Sequence, residues 1–189
     1  MVKQIDRRVK YTKMVVKDSL VQLLHDKPIS RITIKEICEM ADINRGTFYT
    51  HYTDQFDLLR KIEQELIFDI NEYLDSCFIN DVESELLQTL KNLLDHIAAN
   101  ADLVRVLLGD NGDMDFLREI KKIVHQRCTA YWRSNKTINQ NTADYMYEFA
   151  VTGSIGIIQK WLNGGIVESS DEIANFILKL VNRGMYSFT

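Results

Sequence analysis

Residues 33–59 read TIKEICEMADINRGTFYTHYTDQFDLL, and the spacing inside this stretch decides the fold. Ile34, Ile37, Cys38 and Ala41 recur at i, i+3, i+4 and i+7, one face of a short helix. Thr33 stands before that face with Glu36 three residues on, the spacing of a capping box, which satisfies two helix-end N–H groups reciprocally. Asp42-Ile43-Asn44 breaks the pattern, and Asn44 is a good N-cap for a second short helix over residues 45–52. Two short helices joined by so short a turn form the unit that places its second helix in the DNA major groove. The plainer reading is an αα-hairpin inside a helical bundle. Against it, the second helix is short and carries Arg45, Thr47, Tyr49, Thr50 and His51. Only Phe48 and Tyr52, with Ile43 before them, look like anchors to a core.

The same residues carry a resemblance. Ile37-Cys38, Asp42-Ile43-Asn44, Thr47-Phe48-Tyr49-Thr50-His51-Tyr52 and Gln55-Phe56-Asp57-Leu58 resemble, in order and spacing, the N-terminal domain of TetR/AcrR-family transcriptional regulators, over about residues 10–66. Two positions depart from that pattern. Asp42 stands where the family has a turn glycine, and Asp tolerates left-handed backbone better than most residues. Gln55 stands where the family has a phosphate-binding lysine. Further on, Leu107-Leu108-Gly109-Asp110-Asn111-Gly112 with Phe116, then Phe149, Gly153, Trp161 and Asn163-Gly164, are similar to the C-terminal domain common among Firmicutes regulators of this type.

Composition agrees with an all-α fold. One Pro and 8 Gly in 189 residues leave few turn signals, and no period-two alternation persists. A hydrophobic fraction of 46% suits a packed core rather than a disordered chain. The first residues are charged and no apolar run reaches ~18 residues, so we expect a cytoplasmic chain without a signal peptide or membrane span. The three cysteines, Cys38, Cys77 and Cys128, are far apart and odd in number, which favours reduced thiols over a disulfide framework. The net charge of −4 is unevenly placed: residues 1–52 hold ten Lys/Arg and six Asp/Glu, +4, which leaves −8 on the rest. A basic head on an acidic body fits a nucleic-acid contact at one end.

Periodicity places helix one over residues 6–25, ended by Pro28, and a long helix from Gln55 to about Cys77, capped by Thr53-Asp54. Further stripes follow: Val82 to Ile97, Asp102 to Leu108, Leu117 to Tyr131, Asn141 to Leu162, and Ile173 to Leu180 after Ser169-Ser170. Asn163-Gly164-Gly165 is a helix C-cap signal. The expected architecture is a three-helix head, residues 1–53, and a helical body for effector binding and dimerisation, residues 54–189, with about nine helices in all.

Within the head, Arg45 is the best base reader, because a guanidinium binds guanine O6 and N7 bidentately. Gly46 lets the backbone approach DNA, and Thr47 offers a hydroxyl or a methyl. Tyr49 and His51 match phosphate-contacting positions that the resemblance implies, Gln55 stands in place of the family's phosphate-binding lysine, and Thr50 is a further DNA-binding candidate. Thr33, Lys35 and the N-cap Asn44 flank them, a helix start and an ammonium both suiting phosphate. Lys10 and the Arg7-Arg8 pair read either as a flexible DNA-contacting arm or as a solvated tail. The helix at 141–162 is apolar almost all round and must be covered on all sides. Gly153 and Gly156 would let a partner helix approach, while Tyr145, Phe149, Ile157 and Trp161, with Ile173, Phe176, Ile177 and Leu180 of the last helix, would supply the dimer interface. An effector pocket is implied by the resemblance, with His96, Asn100, Arg105, His125, Arg127 and Trp132 as the available polar or aromatic groups. For each, a surface or core role competes. His125 and Cys128 lack a third ligand nearby, so no metal or other cofactor is expected. No phosphate loop, GxSxG, HExxH or paired cysteine motif is present, and no catalytic residue is assigned.

The sequence therefore reads as a homodimeric transcriptional regulator that binds a palindromic DNA operator, in the manner of a ligand-responsive repressor. The alternative is a co-activator or adaptor that keeps the fold and acts through a protein partner. Enzymatic activity is not expected.

Overall fold

The computed structural model describes residues 2–77, 83–109, 112, 114–134 and 140–185. Among these residues the chain forms nine α-helices, one 3-10 turn at Ile29–Arg31, and no strand. The helices are α1 (Val2–Asp26), α2 (Ile34–Met40), α3 (Arg45–Tyr49), α4 (Gln55–Cys77), α5 (Glu83–Ala99), α6 (Ala101–Leu108), α7 (Met114–Ser134), α8 (Gln140–Asn163) and α9 (Ser170–Met185). Val82, Asp110 and Asn111 lie outside the described residues, as do the side chains of Cys77, Arg127, Cys128 and Trp132.

The expected local signals are made. Thr33 and Glu36 form the capping box of α2. Asn44 Oδ1 accepts the Thr47 N–H at 2.7 Å and caps α3. Asp42 takes φ 51°, and the following Ile43 N–H closes back onto the Cys38 carbonyl at 3.0 Å. That is a left-handed helix stop with an Asp in place of glycine. The end of α8 does the same with glycine: Gly165, at φ 88°, donates to Leu162 and Ile166 donates to Trp161. Ser169 caps α9, its Oγ accepting the Glu172 N–H at 3.2 Å while Glu172 accepts the Ser169 N–H at 2.8 Å.

Two lengths differ from expectation. Helix α1 begins at Val2, so Arg7, Arg8 and Lys10 lie on a continuous helix rather than on a flexible arm. Nothing between Val2 and Asp26 breaks a helix: the segment contains neither Pro nor Gly. Helix α3 ends at Tyr49, not Tyr52. The His51 and Tyr52 N–H groups converge on the Phe48 carbonyl, and the Thr50 hydroxyl takes the Thr47 carbonyl at 2.6 Å, which tightens and closes the last turn.

Helix α4 holds the molecule together. It packs on α1 at one end and on α5 and α7 further along, while α1 also reaches α6. The buried cluster runs through it from Val16 and Phe48 to Leu162 and Ile177. Helices α5, α6, α7, α8 and α9 complete the body through the pairs α5 with α9, α6 with α8, and α7 with α8.

Helix α8 resolves into two faces. Met146, Tyr147, Val151 and Leu162 are buried within the protomer. Tyr145 is 78% exposed and Phe149 67% exposed, and a Cβ on Gly153 or Gly156 would meet nothing within 4 Å. Three residues expected at a partner interface are packed inside instead: Trp161 is 3% exposed, Ile173 8% and Ile177 4%. The Trp161 indole N–H donates to the Glu168 carbonyl at 2.8 Å, which fixes the ring under the α8–α9 turn. Phe176 and Leu180 remain outside on α9, and Ile157 is half-buried.

Candidate nucleic-acid interface

The reading helix is built on one side chain. Phe48 is fully buried, with Tyr49 edge-on at 5.7 Å and Tyr52 at 5.5 Å between ring centroids. Pinning residue 48 inward turns residues 46 and 50, two positions away on either side, to the opposite face, and leaves Arg45 at the open first turn of the helix. Arg45, Gly46, Tyr49 and Thr50 are all exposed. Thr47 is half-buried, its hydroxyl donating to the Asn44 cap at 3.1 Å. A Cβ added at Gly46 would sit 3.1 Å from that same Asn44 oxygen, so a small residue here also protects the cap.

Other expected contacts divide between exposed and engaged groups. Thr33 is engaged: its N–H and hydroxyl both donate to Glu36, and its hydroxyl accepts the Glu36 N–H. Lys35 is exposed, 3.6 Å from Glu39 across one turn. Gln55 is the half-buried first residue of α4. His51 is half-buried against the Tyr52 ring.

Two lysines that the sequence reading passed over secure the unit. Lys27, at the turn after α1, donates to Glu36 at 2.5 Å and ties α1 to α2. Lys61 on α4 reaches the His51 carbonyl at 2.9 Å. The Glu36 carboxylate is held down to about 2 from an ordinary 4.5, first by the Lys27 hydrogen bond and then by the Thr33 N–H and hydroxyl. A depressed carboxylate stabilises the fold above its unfolded pKa and loses that contribution as pH falls through the folded one. Glu36→Gln should therefore lower the melting temperature near pH 7. The gap to wild type should close as pH falls from 4.5 to about 2. Melts followed by circular dichroism across that range check this, and a gap unchanged at the acid end contradicts it.

Of the residues expected at an effector pocket, His96, Arg105 and His125 each join a different pair of helices. His96 Nε2 on α5 lies 3.3 Å from Asp69 on α4, and its ring stands 5.4 Å from Tyr73. Arg105 on α6 donates to the Leu162 carbonyl at the end of α8 at 2.9 Å and to Asp102 at 2.6 Å. His125 on α7 lies 3.5 Å from Asp144 and edge-on to Tyr147 on α8. Arg105 also lines an open cleft of about 740 Å³ between α1, α4 and the α5–α6 turn, with Lys10, Lys13 and Lys17 on the opposite wall. Among the described residues no group of three or more His, Cys, Asp or Glu could hold a metal ion. No helix there is long and apolar enough to cross a membrane.

A bundle headed by two short helices, the second pinned by one aromatic and polar outside, is the form of a helix-turn-helix regulator. The family described as a transcriptional regulator C-terminal region, of the TetR type, matches residues 84–183, more than half the chain. The chain belongs to the TetR family of transcriptional regulators, which are not enzymes. The uncharacterised HTH-type transcriptional regulator YxbF of Bacillus subtilis (strain 168) is 23% identical over 175 residues, 89% of this chain. The chain spans only 44% of the length of that relative. A TetR transcriptional regulator from Streptococcus agalactiae 2603V shares the fold with TM-score 0.64 and 22% identity, covering 96% of this chain and 99% of that one. The fatty acid degradation regulator FadR from Bacillus halodurans does so with TM-score 0.70 and 13% identity, covering 90% and 94%.

Proposed function

We propose that this chain acts as a homodimeric, sequence-specific DNA-binding repressor, each subunit laying α3 in the major groove of one half of a palindromic operator. The single observation that carries the reading is the outward face of α3, where Arg45, Gly46, Tyr49 and Thr50 stand exposed over a fully buried Phe48. The basic head supports it, since ten cations against six acids in residues 1–52 favour a phosphate surface. Arg45 reads a guanine, while Tyr49, Thr50 and Lys35 take backbone phosphates and set the register. The exposed faces of α8 and α9, with Tyr145, Phe149, Gly153, Gly156, Phe176 and Leu180, meet their copies across a two-fold axis. Because α4 touches both α1 and the body helices, an effector that displaces α4 alters the separation of the two heads.

Selection of bound sequences from random duplex DNA tests this. The expected product is a palindrome whose half-site centres lie about 34–36 Å, or a multiple of that, apart. Its affinity should exceed that for random DNA by ~10³-fold or more and fall by orders of magnitude between ~50 and ~200 mM salt. An intact dimer that enriches no sequence would refute the reading and leave the adaptor role.

A further inference from the structure

Lys61 touches none of the residues assigned to DNA by side chain, yet its ammonium is where three segments meet. Nζ donates to the His51 carbonyl at 2.9 Å and to Asp57 Oδ2 at 3.0 Å, and lies 5.2 Å from the centroid of the Tyr52 ring. The same Asp57 oxygen accepts the Thr53 N–H at 3.0 Å, and the Asp57 N–H in turn donates to Asp54 at 2.7 Å. The whole turn after α3, residues 51–54, is thereby fastened to the first two turns of α4.

Helix α3 is too short to hold its own orientation: its five residues make little more than one turn. On one side it rests on Phe48. Just past its C-terminal end the bridging side chain is Lys61, a cation set on the His51 carbonyl. An exposed Lys–Asp pair one turn apart contributes little to stability by itself. What this pair does is geometric, because it closes a link across ten residues between the carbonyl of His51 and the second turn of α4.

We propose that the Lys61–Asp57 pair is a positioning clamp that sets the angle of α3 on DNA and transmits displacement of α4 to the reading face. This rests on the DNA-reading role of α3 proposed above and adds how that face is regulated. Lys61 is a positioning residue: it acts through the His51 carbonyl and the turn, not through a base or a phosphate.

Three variants separate the possibilities. Lys61→Met keeps the aliphatic stem on Tyr52 and removes the ammonium. Lys61→Arg keeps a donor that can serve both oxygens. Asp57→Asn leaves the lysine and removes its carboxylate. In the free protein, amide exchange of residues 51–54 should speed up in Lys61→Met and return towards wild type in Lys61→Arg, with the melting temperature nearly unchanged. On DNA, Lys61→Met and Asp57→Asn should weaken binding to the selected operator by roughly 5- to 30-fold. Binding to random DNA and the salt slope should hold, and Lys61→Arg should restore operator affinity. Equal loss on operator and random DNA with a shallower salt slope would make Lys61 a phosphate contact and overturn the clamp. Unchanged exchange in the turn would overturn it even before DNA is added. Faster exchange in a wild-type background that selects no DNA would instead locate the failure in the DNA-reading role.

Discussion

The Phe149→Glu protein should sediment as a monomer at micromolar concentration, where wild type should show twice the 22.0 kDa chain mass, and should lose operator binding with it. Phe149 is 67% exposed in the protomer, so its own fold does not depend on the ring. Its neighbours along α8 at helical spacing are Tyr145, Gly153 and Gly156, an exposed aromatic pair followed by two residues without side chains. In a two-fold interface each substitution appears twice, facing its copy or the same apolar patch. An unpaired carboxylate buried there costs about 3–5 kcal/mol, which weakens association by roughly 10²–10³-fold or more. Helical content by circular dichroism should stay at the wild-type level, separating a lost interface from a lost fold. A variant with an unchanged dimer dissociation constant would place the interface elsewhere.

Arg45→Ala should weaken operator binding by about 1–3 kcal/mol in each half-site, the cost of a lost bidentate contact to guanine. Two half-sites contribute nearly additively, so the dimer loses the effect twice over. Arg45 opens α3 on its exposed face, so its removal should leave the head folded. Preference should relax at one base pair per half-site in a set of single-base-substituted operators, while affinity for random DNA changes much less. Equal losses on both DNAs would make Arg45 a phosphate anchor and pass base reading to Thr47 or Lys35.

How much of this was readable in the chain depends on the range of the interaction. The caps at Thr33, Asn44 and Ser169, the left-handed stop at Asp42 and the helix end at Gly165 all act within about five residues, and the sequence carries them in full view. Phe48 was legible as the anchor of α3 because an aromatic between polar neighbours has one place to go. The two sides of α8 were not legible. A helix apolar all round does not say which stripe meets its own subunit, and so Trp161, with Ile173 and Ile177 on α9, was assigned outward although the protomer buries all three. The end of α3 was misjudged because its closure depends on a Thr50 side-chain bond and on two N–H groups sharing the Phe48 carbonyl. Lys61 illustrates the limit most sharply. Its spacing from Asp57 was visible as an ordinary one-turn ion pair, but its reach to His51 depends on the angle between α3 and α4, which no local pattern encodes.

Whether α3 of each subunit reads guanine from the major groove is decided by methylation interference on the selected operator. A methyl on guanine N7 blocks the major-groove edge that Arg45 would occupy. Wild-type protein should show strong interference at one guanine or more in each half-site, and with Arg45→Ala that interference should disappear at one symmetric pair. Binding indifferent to N7 methylation in both half-sites would contradict guanine reading by α3.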